Sequence, residues 1–241
     1  MAVKDDRIVR QALKAALDSK SIPMVFQPIW TKEGDCWGFE ALARFKNGSP
    51  PDAVWNLAKR ERRHARLDWV ALKAAIASAR GVFDRCFLNI SSHVLQSPDQ
   101  LARIGKPEEV VWEVTETLEL NARLLDGVRT LKRWGYHIAM DDAGVGPSTV
   151  ERFEQLEPTI VKIDRKLVQV WASGQVDLLR YWVRLAKDHG ARVVVEGVED
   201  FLWVDPLIDE GIDAFQGYAL GRPAVAEEWG SKVDYQLWTM S

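Results

Sequence analysis

The sequence is poor in cysteine, in long apolar runs and in excess positive charge, and each shortage excludes a class of protein. Only two cysteines occur, Cys36 and Cys86, so no disulfide framework is predicted and a reducing compartment fits. No apolar run reaches the ~18 residues of a transmembrane helix, and the first residues lack the pattern of a signal peptide. The net charge of −3 argues against a nucleic-acid polymer as partner, because neutralising phosphates takes a basic face. We therefore expect a cytoplasmic protein without a membrane segment.

Several common catalytic motifs are also missing from the 241 residues. There is no Gly-x-Ser-x-Gly elbow, no Walker A loop and no dinucleotide-binding fingerprint. The segment "GVGPS" is not followed by the lysine of a phosphate-binding loop, so it carries no such prediction. The information on function therefore lies in the order of the predicted strands and helices and in the polar residues within them.

Short apolar runs alternate with helical patterns along the chain. "DWVALKAAIASAR" and "VDLLRYWVRLAKDHG" have the helical period, and the strand-like runs are "PMVFQPIW", "CWGFEALARF", "CFLNIS", "VVWEVTE", "HIAMDD", "TIVKID", "RVVVEGVE" and "DAFQGYAL". Such alternation predicts parallel strands joined by right-handed crossovers. Eight strands in this length fit an α/β fold of the closed (β/α)8 type better than an open sheet. Pro28 predicts that the first run is an edge strand or an irregular one.

Polar residues stand at the ends of these apolar runs, where a barrel of this type has its functional face. A buried charge without compensation costs several kcal/mol. Because polar residues recur at the end of one strand after another, we expect them to converge on a cation. The donors are oxygen atoms, and no histidine or cysteine stands among them, which favours Mg²⁺ or Mn²⁺ over zinc. The residues are Glu40, Asn89, Glu113, Asp141 with Asp142, Lys162, Glu196 and Gln216.

The stretch "AMDDAGVGPSTV", residues 139–150, places two carboxylates side by side at the end of one apolar run. Adjacent acids repel each other unless a positive group lies against them. A helix-capping turn would explain one aspartate at most. A metal site explains both, and a catalytic site that has partly decayed stays open as a third interpretation.

Seven ordered motifs resemble the EAL domain family, the cyclic di-GMP phosphodiesterases of bacterial signalling. They are "GFEALARF", "LNIS", "WEVTE", "DDAGVG", "VKID", "VVVEGVE" and "QGYALGRP", preceded by "FQPIW". The resemblance runs from about residue 25 to residue 223, so we expect residues 1–241 to form a single EAL domain. It implies a TIM-like (β/α)8 barrel with an atypical, antiparallel first strand. It also implies a homodimer.

The resemblance further implies a role for each matching residue. The first of two Mg²⁺ or Mn²⁺ ions would be held by Glu40, Asn89, Glu113 and Asp141, and Asp141 would bridge to a second ion beside Asp142. Glu196 would be the general base for the attacking water, and Lys162 would orient that water. Residues expected at the substrate are Gln27, Leu42, Arg44, Asp164 and Gln216. Supporting positions are Glu116 and Glu199.

The loop after the paired aspartates departs from the family pattern. Active members usually read "DDFGTG" followed by Tyr-Ser-Ser, whereas this chain has Ala143, Val145 and Pro147 in place of Phe, Thr and Tyr. Gly144 and Gly146 remain, so the turn itself is expected to persist. Because the altered loop shapes the second metal site, we expect that site to be weak and hydrolysis to be slow.

Three hypotheses follow from these residues. The first is a metal-dependent phosphodiesterase that cuts cyclic di-GMP to linear pGpG. The second is a receptor of the same fold, which binds the dinucleotide and signals through a protein partner. The third is an enolase-like barrel in which Lys162 abstracts a proton, since carboxylates and a lysine at strand ends suit that chemistry too. The ordered motifs favour the first two over the third.

Overall fold

Eight strands close into a barrel in the computed structural model, which describes residues 2–115, 120–145 and 149–230, with side chains from residue 6 onward. The strands are β1 (Met24–Thr31), β2 (Cys36–Ala43), β3 (Cys86–Ile90), β4 (Val110–Val114), β5 (His137–Ala143), β6 (Ile160–Ile163), β7 (Arg192–Val195) and β8 (Ala214–Phe215). Each predicted run overlaps one of them, and they follow one another around the barrel in chain order. The predicted eight-stranded α/β barrel is therefore confirmed.

Helices surround the barrel and pack on it through an apolar core. They are α1 (Ala2–Ser19), α2 (Pro51–Arg60), α3 (His64–Ala79), α4 (Ser92–Leu95), α5 (Pro98–Ala102), α6 (Ala122–Arg133), α7 (Val150–Leu156), α8 (Arg165–Ala172), α9 (Asp177–Asp188), α10 (Val204–Asp209) and α11 (Ala226–Gly230), with a 3₁₀ helix at Phe201–Trp203. Within the described ranges, none of these helices combines the length and the apolar character needed to cross a bilayer.

The first strand runs antiparallel to both of its neighbours, whereas the other neighbouring strands are parallel. This confirms the predicted antiparallel first strand. The alternative that Pro28 makes it an edge strand is wrong, because a closed barrel has no edge. The alternative of an irregular strand is confirmed by a register shift between Ile29 and Trp30.

The backbone of β1 shows how the barrel accommodates Pro28. Phe26 exchanges two backbone hydrogen bonds with Ala224, on the side of β1 that faces away from β2. Pro28 is two residues further and faces the same side, since strand residues alternate. The N–H that proline lacks is therefore not needed for the pairing of β1 with β2.

One layer of apolar side chains fills the barrel axis, and we call it the axis layer. Its members are Ile29, Phe87, Val111, Ala139, Ile160, Val194 and Ala214, each at most 1% exposed. Strand β2 contributes Gly38 here, where an added Cβ would lie 3.1 Å from the Phe87 ring. Side chains two residues along a strand point to the same side. The axis layer therefore identifies the neighbouring positions that also face the barrel interior.

Candidate active site and metal centre

A second layer of side chains that face the barrel interior is polar. It lies next to the axis layer, at the carboxyl end of the parallel strands. Each lies two residues beyond a member of the axis layer, or two residues before it on the antiparallel β1. Simple alternation along each strand thus brings eight predicted residues to one end of the barrel. They are Gln27, Glu40, Asn89, Glu113, Asp141, Lys162, Glu196 and Gln216.

Lys162 stands among four carboxylates, and its side chain has no exposed surface. Its Nζ atom lies 2.7 Å from Glu113 Oε1, 3.2 Å from Asp141 Oδ1 and 3.4 Å from Glu40 Oε2. Glu196 Oε1 is 2.5 Å from the same nitrogen. One positive charge faces four acidic groups, so full ionisation leaves an excess of three negative charges.

Burial and mutual repulsion raise the pKa values of three of these carboxyl groups, those of Glu113, Asp141 and Glu196. Burial is the largest cause for Glu113, whose pKa is well above its usual range, and Glu40 and Asp141 add repulsion. Burial likewise raises the pKa of Asp141, and it raises the pKa of Glu196 to about 8 against the attraction of Lys162. Burial alone would lower the pKa of Lys162, but the surrounding carboxylates raise it well above its ordinary value. The lysine therefore remains an ammonium group.

Neutral amides orient two of the carboxylates. Asn89 Nδ2 donates to Glu113 Oε2 at 3.2 Å and to Glu40 Oε1 at 3.4 Å. Gln216 Nε2 donates to Glu40 Oε2 at 2.7 Å and to Gln27 Oε1 at 3.2 Å. These contacts hold the acids in place without adding positive charge, so the excess of negative charge is left in the site.

Asp142 joins the site through an unusual backbone conformation. Strict alternation would direct it away from Asp141, but its φ angle is +53°, in the left-handed region that Asp adopts more readily than most residues. Oxygen atoms of Asp141, Asp142 and Glu196 lie within 4.8 Å of one another. This all-oxygen donor set, with its excess negative charge, fits divalent cations such as Mg²⁺ or Mn²⁺.

A cavity of about 370 Å³ opens onto these carboxylates. Of the residues predicted at the substrate or in support, Gln27, Leu42, Asp164, Glu199 and Gln216 line it. Asp164 also caps α8, since its Oδ1 accepts a hydrogen bond from Lys166 N at 2.7 Å. Glu116 lies outside the described residues.

Arg44 is not among the residues that line the cavity. It is exposed, and its Nη1 donates to Ala43 O at 2.9 Å. Arg165, which the motifs did not single out, lines the cavity instead and lies against Gly197, where an added Cβ would be 2.2 Å from Arg165 Cγ. Arg165 directly follows the predicted substrate residue Asp164 and is the first residue of α8. This position was the sequence feature that could have identified it.

Tyr218 is a second lining residue that the sequence reasoning missed. The residue is 56% exposed, and Arg222 Cζ lies 4.4 Å from the centroid of its ring. Tyr218 follows Gln216 by two residues within "QGYALGRP", and that spacing was the only signal for it. An exposed aromatic ring beside the cavity offers a flat surface for a planar ligand group.

Comparison with known proteins gives one consistent family. The EAL domain model matches residues 10–223. The probable cyclic di-GMP phosphodiesterase PdeA of Escherichia coli K12 is 29% identical over 238 residues, which cover 90% of this chain and 32% of that protein. The chain therefore spans about a third of the length of this curated relative.

Solved structures agree in fold. An EAL domain protein of Listeria monocytogenes EGD-e has a TM-score of 0.80 at 27% identity, covering 92% of this chain and 96% of that one. Klebsiella pneumoniae BlrP1, in a complex with manganese and cyclic di-GMP, has a TM-score of 0.72 at 26% identity, covering 85% and 56%. Both are similar to this chain over most of its length.

Proposed function

Because this chain belongs to the EAL domain family, we propose that it is a metal-dependent phosphodiesterase that hydrolyses cyclic di-GMP to linear pGpG. The observation that carries the proposal is the placement of Lys162 among four carboxylates, with Asp142 beside them, at the open end of the barrel. A site with this excess of negative charge favours cations, and cations in turn favour a phosphodiester.

We assign the metal-holding role to the oxygen donors at the strand ends, which are Glu40, Asn89, Glu113, Asp141 and Asp142. Two divalent cations, when bound, would activate water and offset the charge that develops on the phosphoryl oxygens. The second ion depends on Asp142, which begins the altered loop, so we propose that it binds weakly.

Glu196 is the proposed general base. It immediately follows β7, faces the cavity and is the acid with a pKa of about 8, so it is suited to accept a proton near neutral pH. Lys162 remains protonated and lies 2.5 Å from Glu196, so in this proposal it holds the base and the attacking water in position. The raised pKa of Lys162 also argues against an enolase-like reaction, in which the lysine would have to lose its proton.

The cavity residues are proposed to hold the dinucleotide. Gln27, Leu42, Asp164 and Gln216 already line the cavity, whereas Arg44 would have to leave Ala43 O to reach a phosphate. Arg165 offers positive charge at the cavity wall without such a movement.

Glu199 and Glu116 are proposed to support the site from its rim. We further propose that residues 1–241 form one EAL domain, that it assembles as a homodimer, and that it acts in the cytoplasm. These three proposals rest on the family resemblance.

The alternative function is a cyclic di-GMP receptor with little or no turnover. The observation that favours it is the altered loop, in which Ala143 and Val145 replace the family's Phe and Thr. In that case the same carboxylates would hold cations and ligand, and a protein partner would recognise the ligand-bound form.

One experiment distinguishes the two functions. The protein is incubated with cyclic di-GMP and Mg²⁺ or Mn²⁺, and products are separated by chromatography, while calorimetry compares binding of cyclic di-GMP, GTP and cyclic AMP. Formation of pGpG supports the enzyme, and selective binding without product supports the receptor. Equal binding of all three nucleotides would contradict both.

A further inference from the structure

Three strands carry basic residues at the amino-terminal end of the barrel, opposite the candidate active site. Two positions before the axis layer, on or next to β3, β5 and β7, stand Arg85, His137 and Arg192. Since side chains two residues apart face the same side, all three are directed toward the barrel interior at this end. We call them the basic triad.

The two arginines of the triad meet the Trp37–Gly38 segment of β2. Arg192 Cζ lies 5.1 Å from the centroid of the Trp37 ring. A Cβ built at Gly38 would lie 3.3 Å from Arg85 Cβ, so Arg85 is packed beside the same segment. Trp37 in turn packs edge-on against Phe87 of the axis layer, at 5.4 Å between centroids. The tryptophan thus covers this end of the barrel, with Arg192 against its ring and Arg85 beside the neighbouring Gly38.

The triad has little compensation from acidic groups. In the part of the chain that the structure describes, no carboxylate forms an ion pair with Arg85, His137 or Arg192. His137 Nδ1 instead lies 3.2 Å from Thr159 Oγ1. The Nε of Arg85 is buried and has no hydrogen-bond partner among the described residues. Leaving a buried N–H without an acceptor costs free energy. This nitrogen is therefore suited to donate to an acceptor on a bound ligand.

The positive charges also act on one another. Burial and the charge of Arg192 lower the pKa of Arg85, although Asp84 opposes the shift. Burial and the two arginines lower the pKa of His137. Repulsion between these groups would be relieved by an anion between them.

We propose that Arg85, His137 and Arg192 form a binding site for a phosphate group, either free or part of a small organic phosphate, at the end of the barrel opposite the candidate active site. Guanidinium groups match the geometry of phosphate oxygens, and the Nε of Arg85, which has no partner among the described residues, supplies a donor. The site goes beyond the proposed hydrolysis and does not depend on it.

Histidine NMR tests the site directly. The full chain, labelled at histidine and kept in chelator so that metals play no part, is titrated with phosphate and, separately, with chloride at equal ionic strength. His137→Gln identifies the His137 signal. We expect phosphate to shift that signal saturably and to raise the pKa of His137, while the signals of His64, His93 and His189 stay in place. Equal effects of chloride, or equal shifts of all four histidines, would overturn the proposal.

Variants connect the signal to the arginines. Arg192 is exposed, so Arg192→Gln should fold normally and weaken phosphate binding ~10-fold. Arg85→Lys keeps the charge but removes the Nε donor, and it should also weaken binding. Arg129→Gln, at an exposed arginine on α6, is the matched control and should have no effect. Unchanged phosphate binding in Arg192→Gln would contradict the site.

A parallel titration with glycerol phosphate shows whether a phosphate monoester binds as well as the free ion.

Discussion

Lys162 Nζ lies 2.7 Å from Glu113 Oε1, and neither side chain has any exposed surface. This pair connects the stability of the barrel to its proposed chemistry. Among the described residues, the ammonium group forms ion pairs with Glu113, Asp141, Glu40 and Glu196. Without it, buried carboxylates would face each other uncompensated, unless protons or metal ions took its place.

Replacing Lys162 with methionine should therefore destabilise the metal-free protein. We expect Lys162→Met to lower the free energy of unfolding by ~3–5 kcal/mol, the usual cost of leaving a buried charge without its partner. Urea denaturation in chelator measures the change. Adding Glu113→Gln should recover part of the loss, because it removes one of the unpaired acids. Lys73→Met, at an exposed lysine of α3, is the control and should be close to neutral. Equal stability of Lys162→Met and the parent would contradict the buried ion pair.

The raised pKa values predict how stability depends on pH when no metal is present. The folded pKa of Glu196 is about 8, above the ordinary value of 4.5, and Glu113 and Asp141 are shifted in the same direction. The folded protein therefore holds protons that the unfolded chain has released. The associated stability is complete below pH ~4.5 and is lost as the pH rises through ~8.

In chelator, the melting temperature should accordingly fall between pH 6 and 8.5, by at least ~2 °C. Glu196→Gln cannot ionise, so its melting temperature should fall less over the same range. Saturating Mn²⁺ should reduce the fall in the parent, because metal binding favours ionised carboxylates. A melting temperature that rises with pH in chelator would show that the carboxyl pKa values are not raised.

Glu196→Gln also tests the proposed base. The amide keeps the shape of the side chain but cannot accept the proton, so hydrolysis of cyclic di-GMP should fall ~10²–10⁴-fold with binding largely retained. Turnover is followed by chromatography and binding by calorimetry. Glu154→Gln, at an exposed acid of α7, should behave as the parent. Full activity of Glu196→Gln would assign the role to another residue.

Much of the site could be predicted because it depends on alternation. Every strand places a polar residue two positions from an axis-layer residue, and such a pattern is visible in the sequence. The conformation of Asp142 was not visible, since its φ of +53° breaks the alternation. Nor was the placement of Arg44, because the orientation of an exposed, flexible side chain is not fixed by strand geometry.

Arg165 was missed for a different reason. It reaches the cavity because the chain after β7 passes close to it at Gly197, whose φ is +67°. That approach joins two segments that are 32 residues apart (197 − 165), and no local pattern predicts it. Contacts of this kind require the closed barrel to be known first.

The loop after β5 is the segment that the proposal of slow hydrolysis depends on. Ala143 ends β5 without any exposed surface, and the pairing of β5 with β6 shifts register between Met140 and Ala143. At Gly144 an added Cβ would lie 2.5 Å from Leu167 Cδ2. The start of the loop is therefore closely packed with Ala at position 143. A Phe at position 143 would have to displace its neighbours, at a cost of ~1–3 kcal/mol.

We predict slow hydrolysis of cyclic di-GMP that rises with divalent metal concentration, and more with Mn²⁺ than with Mg²⁺. The triple change Ala143→Phe, Val145→Thr and Pro147→Tyr should raise the rate and lower the metal concentration for half-maximal activity, even though melting temperature falls; position 147 lies outside the described residues. Val145→Thr alone conserves volume and restores a hydroxyl, so it separates the polar contribution from the cost of packing the ring. Rates measured over a metal titration decide the matter. If the parent already turns over rapidly at low metal and neither variant is faster, the substitutions at 143, 145 and 147 do not limit the reaction, and Asp142 holds its position without them.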